Sequence, residues 1–205
     1  MLDLFELGAS AGLNLYFDHY GLEVDENKYG ALDPAFTLRP KWTGPFPTPH
    51  PPLVATRRGV DLNPLDPSNP KDQLRLMAYI WADQTDRLDR TRKALTLAQP
   101  VVDKSDAADW LEARLSEPPV PGRCRMIYHT VAWQYFPPEV KRRCTDAIEA
   151  AGRMATDQTP LAWFGMEADG KSPGAGLTLR LWPGDRRFDL GRTDFHARWV
   201  DWRAD

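Results

Sequence analysis

The residues best suited to chemistry begin near the start of the chain. Gly8-Ala-Ser10-Ala-Gly12 follows a short apolar run, and a second apolar run, Leu13-Asn-Leu-Tyr-Phe, resumes directly behind it. Glycines let a backbone turn sharply and come close to a ligand, and a helix starting behind such a turn offers unpaired N–H groups and partial positive charge. A pyrophosphate or an amino-acid carboxylate suits that place. The spacing departs from the dinucleotide fingerprint G-x-G-x-x-G, and Glu6 stands two residues before the first glycine. The alternative is a loop that only turns a strand into a helix.

Further polar residues cluster where strands are expected to end. Gly59-Val-Asp61-Leu-Asn-Pro64 closes a short strand on an acid, and a carboxylate accepts two donors at once; a turn or helix-capping acid is the other reading. Ser105-Asp106-Ala-Ala follows a short strand at Val101 and Val102, with Asp103 and Asp109 competing for any ligand role and an N-cap of the next helix open to Asp106. In Met126-Ile-Tyr-His129-Thr-Val-Ala-Trp133-Gln134-Tyr135, His129 can serve as a general base near neutral pH, or as a hydrogen-bonded structural residue. Trp133 or Tyr135 can wall a ring, and Gln134 can orient a substrate. Asp194, His196 and Arg198 fall on one face of a strand at period two, where they either recognise substrate or protect an edge by salt bridges. Glu167, closing Trp163-Phe-Gly-Met-Glu, joins that group. His129 and His196 are expected to meet in one cleft at the carboxyl edge of the sheet.

Glu6-x-Gly8 with Ser10 and Gly12 resembles the first motif of the class I S-adenosylmethionine-dependent methyltransferases. The resemblance implies a Rossmann-like methyltransferase fold in which Glu6, Gly8, Ser10 and Gly12 position S-adenosylmethionine. It implies that Asp61 accepts bonds from both ribose hydroxyls and that Asp106 meets the adenine amine. The acceptor side then falls to His129, Trp133, Gln134, Glu167, Asp194, His196 and Arg198, with the two histidines as candidate catalytic groups. The usual strand-two acid lies about 20 residues after the loop, so the long interval before Asp61 is a departure that an insertion must explain. As a set, Glu-x-Gly-Ala-Ser-Ala-Gly-Leu-Asn, Gly-Val-Asp-Leu-Asn-Pro, His-Thr-Val-Ala-Trp-Gln-Tyr-Phe and Asp-Phe-His-Ala-Arg-Trp are similar to an uncharacterised bacterial family classed as a domain of unknown function. That similarity implies a further amino-terminal region in the natural protein, but no reaction. The expectation is a methyltransferase acting on a small polar molecule. Its rivals are a nucleoside-binding or protein-interaction module without turnover and, disfavoured by the loop spacing, a nicotinamide or flavin oxidoreductase.

The elements that must hold these residues alternate between strand and helix. Leu2 to Leu7, Arg58 to Leu62, Pro100 to Val102, Arg125 to Thr130 and Pro160 to Glu167 read as strands. Helical spacing runs through Leu13 to Phe17, through Lys71 to Ala98 as one helix or two, through Ala107 to Leu115, and from Pro137 to about Ala155. Such alternation predicts an α/β domain with a mostly parallel sheet flanked by helices. Residues 21 to 57 hold seven prolines, which forbid a continuous helix and predict an insertion over the sheet's end with a small hairpin. The linker 168–175 is too short for a helical crossover, so Leu177 to Trp182 must run antiparallel to its predecessor. Pro183-Gly-Asp then turns the chain into a last strand from Arg187 to about Trp202, completing an antiparallel edge meander.

Bulk properties exclude several classes. The 205 residues suit one domain, and 42% apolar with 27% charged residues is an ordinary globular composition. A formal net charge of -3, with both signs interspersed, lacks the footprint of a nucleic-acid binder. Two cysteines, Cys124 and Cys144, give neither a disulfide framework nor a metal-ligand spacing, so no metal is expected. No basic leader and no run of about 20 apolar residues is present, which predicts a cytoplasmic protein that binds no membrane.

Overall fold

A computed structural model of the chain describes residues 1–204. Its centre is β1 (Leu2–Leu7), which lies parallel to β6 (Val54–Asp61) on one side and to β8 (Cys124–Thr130) on the other. Beyond β6 lies β7 (Val102–Lys104), and beyond β8 lies β9 (Leu161–Glu167), all parallel. Counted along the chain, these five strands take the spatial order 3-2-1-4-5. Connections therefore leave β1 in opposite directions, and the carboxyl ends of β1 and β8 form the crevice in which open sheets of this kind bind ligands.

Alternation along β1 explains the two layers. Phe5 and Leu7 face one way and pack, with Val60, Ile127 and Leu161, against α3 (Ala107–Ser116) and α4 (Pro138–Arg153) through Trp110, Leu111 and Ile148. Leu4 faces the other way and packs with Tyr128 against Leu15, Tyr16 and Ala98. Each fully buried Leu or Ile contributes roughly 1.5–3 kcal/mol, so β1 is fixed from both sides. Two buried acids interrupt this strand, Asp3, which accepts from the Thr56 hydroxyl, and Glu6, which is 1% exposed.

The segment 71–98 divides into α1 (Pro70–Ala78) and α2 (Thr85–Leu97), which connect β6 to β7. Asn69 caps α1 by accepting from the Lys71 N–H. The run behind the glycine loop is a seven-residue 3-10 helix, Leu13–His19, broken at Tyr16, rather than the α-helix expected. The insertion holds a hairpin, β2 (Gly21–Val24) with β3 (Asn27–Gly30), extended by β4 (Thr37–Leu38) into a small separate sheet. β6 also starts four residues earlier than the sequence pattern indicates.

The antiparallel edge is as expected at its start and different at its end. β10 (Ala175–Trp182) pairs antiparallel with β9, and β11 (Arg186–Thr193) pairs with β10. The final strand is not continuous to Trp202, because residues 194–198 form a turn that sends β12 (Trp199–Trp202) back along β11. The insertion supplies β5 (Lys41–Thr43), which pairs parallel with β12 and becomes the far edge of a nine-stranded sheet. The insertion thus reaches from the end of β1 to the opposite edge. Among the described residues, no helix is long and apolar enough to cross a membrane.

Candidate functional site

The glycine loop is tightly built and largely self-satisfied. Gly8, Ser10 and Gly12 all have positive φ, at 73°, 52° and 70°. A Cβ on Gly8 would lie 2.5 Å from the Ala132 methyl, and one on Gly12 would lie 2.9 Å from a Val102 methyl. Both glycines are therefore required by their backbone angle and by packing. The Gly8 and Ala9 N–H groups donate to the Val60 carbonyl, and the Gly12 N–H donates to the Ala9 carbonyl. Asp61 accepts from the Ser10 N–H at 2.9 Å and from the Asn63 N–H at 2.9 Å. An acid at the end of β6 thus braces the loop at the end of β1. Four N–H groups of the loop, those of Gly8, Ala9, Ser10 and Gly12, are thus bonded within the protein, and the element behind the loop is a short 3-10 helix rather than a long α-helix.

Beneath this loop lies a buried carboxyl group. Asn14 donates from Nδ2 to Glu6 Oε1 at 2.9 Å and to Thr130 Oγ1 at 3.1 Å, joining the ends of β1 and β8. Glu6 Oε2 and the Tyr128 hydroxyl are both buried without a hydrogen-bond partner. Burial raises the Glu6 pKa from its ordinary 4.5 to about 8; the Asn14 bond and the nearby Tyr128 hydroxyl oppose this, and the Asp61 charge adds to it. Glu6 is therefore a neutral acid at pH 7. It sits below the crevice rather than in it.

Over the same face opens a cleft of about 770 Å³, within the roughly 300–1,000 Å³ typical of small-molecule sites. Its floor is formed by Asn14, Thr130, Val131 and Met166 at the strand ends, and one wall by Tyr20, Phe36 and Leu38. Insertion residues thus do lie over the sheet's end. The other walls are Arg87 and Arg90 of α2, with Gln134, Tyr135, Phe195 and His196. Val131 has φ +54°, which is strained for a β-branched residue. Burial and then the Arg87 charge lower the His196 pKa, so its imidazole is neutral at pH 7.

Asp194, His196 and Arg198 do not share a strand face. They lie in the turn between β11 and β12, where Asp194 accepts from the His196 and Arg198 backbone N–H groups and from the Arg198 guanidinium at 2.7 Å. The Arg198 bond brings the Asp194 pKa down to about 2. A carboxylate so placed organises the turn, which defeats the period-two spacing read from the sequence. Of the three, His196 alone lines the cleft.

The two histidines also lie apart. His129 points to the opposite face of the sheet from Thr130, as neighbours in a strand must. Its Nδ1 lies 2.8 Å from Glu167 Oε1, and its Nε2 accepts from the Trp163 indole N–H at 3.1 Å. An indole nitrogen only donates, so the imidazole carries its proton on Nδ1. Trp133 stacks on the ring at 4.8 Å. Glu167 further accepts from the Ala132, Trp133 and Gln134 N–H groups. Burial pushes its pKa up, but the bonds from His129, Trp133 and Ala132 outweigh this and leave it lowered. Both nitrogens of His129 are occupied by protein partners, so it has none to offer a substrate. This group instead borders a second cavity of about 730 Å³ over β10 and β11, lined by His129, Trp133 and Glu167 but not by His196.

Asp106 is the N-cap of α3, accepting from the Ala108 and Asp109 N–H groups. Neither large cavity is lined by Glu6, Gly8, Ser10, Gly12, Asp61 or Asp106. Most cleft residues are not marked as site residues by the sequence, Asn14, Arg87 and Arg90 among them. Asn14 carried a signal, being the one polar residue in the apolar run behind the loop. Arg87 and Arg90 read only as charges between the apolar positions of a helix.

The fold and its crevice define a doubly wound α/β protein with an open cleft at the switch point of its sheet. The chain belongs to the family described as an uncharacterized protein conserved in bacteria (DUF2332), which matches residues 1–202. No curated protein and no solved structure matches the chain.

Proposed function

We propose that the chain binds S-adenosylmethionine at the carboxyl ends of β1 and β6 and transfers its methyl group to a small polar acceptor in the neighbouring cleft. The observation carrying this reading is Asp61 at the end of β6, bonded to the Ser10 N–H of the glycine loop. Each of its oxygens takes one backbone N–H and keeps a lone pair for a ribose hydroxyl. Leu62 beside it is 63% exposed and offers an apolar surface to a base. The Gly8, Ala9, Ser10 and Gly12 N–H groups are already bonded in the protein, which counts against a dinucleotide, whose pyrophosphate draws on such groups, and does not count against a sulfonium nucleoside. When bound, the cofactor supplies a methyl group on a positively charged sulfur, and the protein's part is to hold donor and acceptor in line. His196, neutral and in the cleft, would take a proton from an acceptor that carries one to lose.

One observation favours a protein-interaction module that binds no nucleoside at the loop: the Ala132 and Val102 side chains already pack against Gly8 and Gly12. Calorimetry separates the readings. S-Adenosylmethionine and S-adenosylhomocysteine are expected to bind while NAD does not, and Asp61→Ala should weaken the binding by on the order of 2 kcal/mol. Because Asp61 also braces the loop, the variant is expected to melt earlier. Lower melting with unchanged affinity would make Asp61 a structural brace and sink the reading; binding of NAD alone would move the protein to the oxidoreductases.

A further inference from the structure

We infer that the cleft between the insertion and α2 is a recognition site for an oxyanion, a carboxylate or phosphate, carried on an aromatic or apolar body, with Arg87 and Arg90 as the anion-binding residues. This deepens the proposed function by naming the acceptor's chemical class, and it rests on the reading of the cleft as the acceptor side.

The charge on α2 comes first. Arg87 and Arg90 are half-buried on one face of α2 and line the cleft together. Among the described residues, neither makes a salt bridge with a carboxylate. Arg87 donates to the Gln84 side chain, and among the described residues the Arg90 guanidinium finds no hydrogen-bond partner. Most other guanidiniums of comparable burial are paired: Arg57 with Asp18 at 2.9 Å, Arg192 with Asp169 at 2.8 Å, and Arg180 with Glu149 at 2.6 Å. Two like charges left side by side repel, and burial with the Arg90 charge lowers the Arg87 pKa. An anion between them removes that cost.

The surroundings agree. Among the described residues, no Asp or Glu lines the cleft, and the carboxyl group beneath it, reached through Asn14, is the neutral Glu6. Asp194, the nearest acid on the turn, is occupied by Arg198. Gln134 and the neutral His196 suit hydroxyls or further anion oxygens, while Asn14, whose Nδ2 donates to Glu6 and Thr130, keeps its carbonyl oxygen for a hydroxyl. The walls decide what carries the anion. Tyr20 and Phe36 pack tilted against each other with ring centres 4.2 Å apart, while Tyr135 is 76% exposed and Phe195 39% exposed at the rim. Such rings form a slot for a flat ring or short apolar chain, and planar guanidiniums match the oxygens of carboxylate or phosphate.

The test is calorimetry of the full chain with phenyl phosphate, benzoate and benzylammonium, run alongside S-adenosylhomocysteine. The expected result is binding of one or both anions and none of the cation, with affinity falling as salt rises. Arg87→Gln and Arg90→Gln should each weaken anion binding about tenfold, the scale for one charged hydrogen bond, and the double variant more. S-Adenosylhomocysteine binding should survive these changes. Circular dichroism checks that the variants are folded; if the glutamine forms are not, Arg87→Lys and Arg90→Lys, which keep the charge and lose the fork, should lose part of the affinity. Equal binding of benzylammonium, unchanged affinity in the folded double variant, or no binding of either anion at millimolar concentration would each overturn the inference. Anion binding without S-adenosylhomocysteine binding supports this site and rejects the methyl donor.

Discussion

Glu6→Gln is the perturbation whose effect the structure fixes most closely. In the folded chain the Glu6 carboxyl keeps its proton up to about pH 8, whereas in the unfolded chain it ionises near 4.5. Between those values the folded state holds a proton that the unfolded state has released, so stability contributed by this group falls as pH rises through the window and levels off above about pH 8. At roughly 1.4 kcal/mol per pH unit the interval caps the loss at about 5 kcal/mol. Glutamine has no proton to lose, keeps an acceptor for Asn14, and can turn its amide toward the unpartnered Tyr128 hydroxyl. The assay is urea unfolding of wild type and variant at pH 5, 6.5, 8 and 9, compared as a difference so that all other titrations cancel. The variant should start level with wild type or slightly below it, gain several kcal/mol relative to it by pH 8, and gain nothing more at pH 9. A difference that stays constant to within about 1 kcal/mol across the series would show that the carboxyl is not held neutral, and the reasoning about its burial would fail.

Two further substitutions probe the supports of the site. Gly8→Ala combines a positive φ with a Cβ 2.5 Å from Ala132, and should cost about 2 kcal/mol or more in thermal unfolding, whereas Gly122→Ala, with open space around it, should cost only the backbone share of about 1 kcal/mol; equal losses would mean that the loop is not packed as described. Glu167→Ala leaves His129 and three backbone N–H groups without their acceptor, and a loss of about 3 kcal/mol is expected, while wild-type stability would contradict the network. Because the folded pKa of Glu167 is lowered, its contribution is present above the ordinary carboxylate range and is lost as pH falls through the folded value. Glu167→Gln should therefore flatten the acid limb of the stability profile.

The parallel half of the sheet was legible because its signals are local. A strand, a glycine turn and a following apolar run announce β1, and the short 168–175 linker leaves only an antiparallel return for β10. Part of what failed depended on contacts distant in sequence. Nothing around Lys41 marks it as a strand, since β5 exists only because β12 accepts it. The tail misled because Asp194, His196 and Arg198 alternate as in a strand, while the Asp194 carboxylate bonds two backbone N–H groups and closes a turn. His129 stood at the right height in the sheet but on the other face, where Glu167 and Trp163 occupy both ring nitrogens. Asp61 lies where the sequence placed it, at the end of β6 beside the loop. The Arg87 and Arg90 pair was invisible for a different reason, because an unpaired charge is defined by which acids fail to reach it.

Hydrogen–deuterium exchange with and without saturating S-adenosylhomocysteine tests the central claim most directly, since it reports where the nucleoside sits. The account predicts slower exchange in segments 8–14 and 61–63, around the loop and its Asp61 brace, and no change at β10 and β11. Protection confined to the second cavity over β10 and β11, or none anywhere at a concentration that saturates binding, would contradict it.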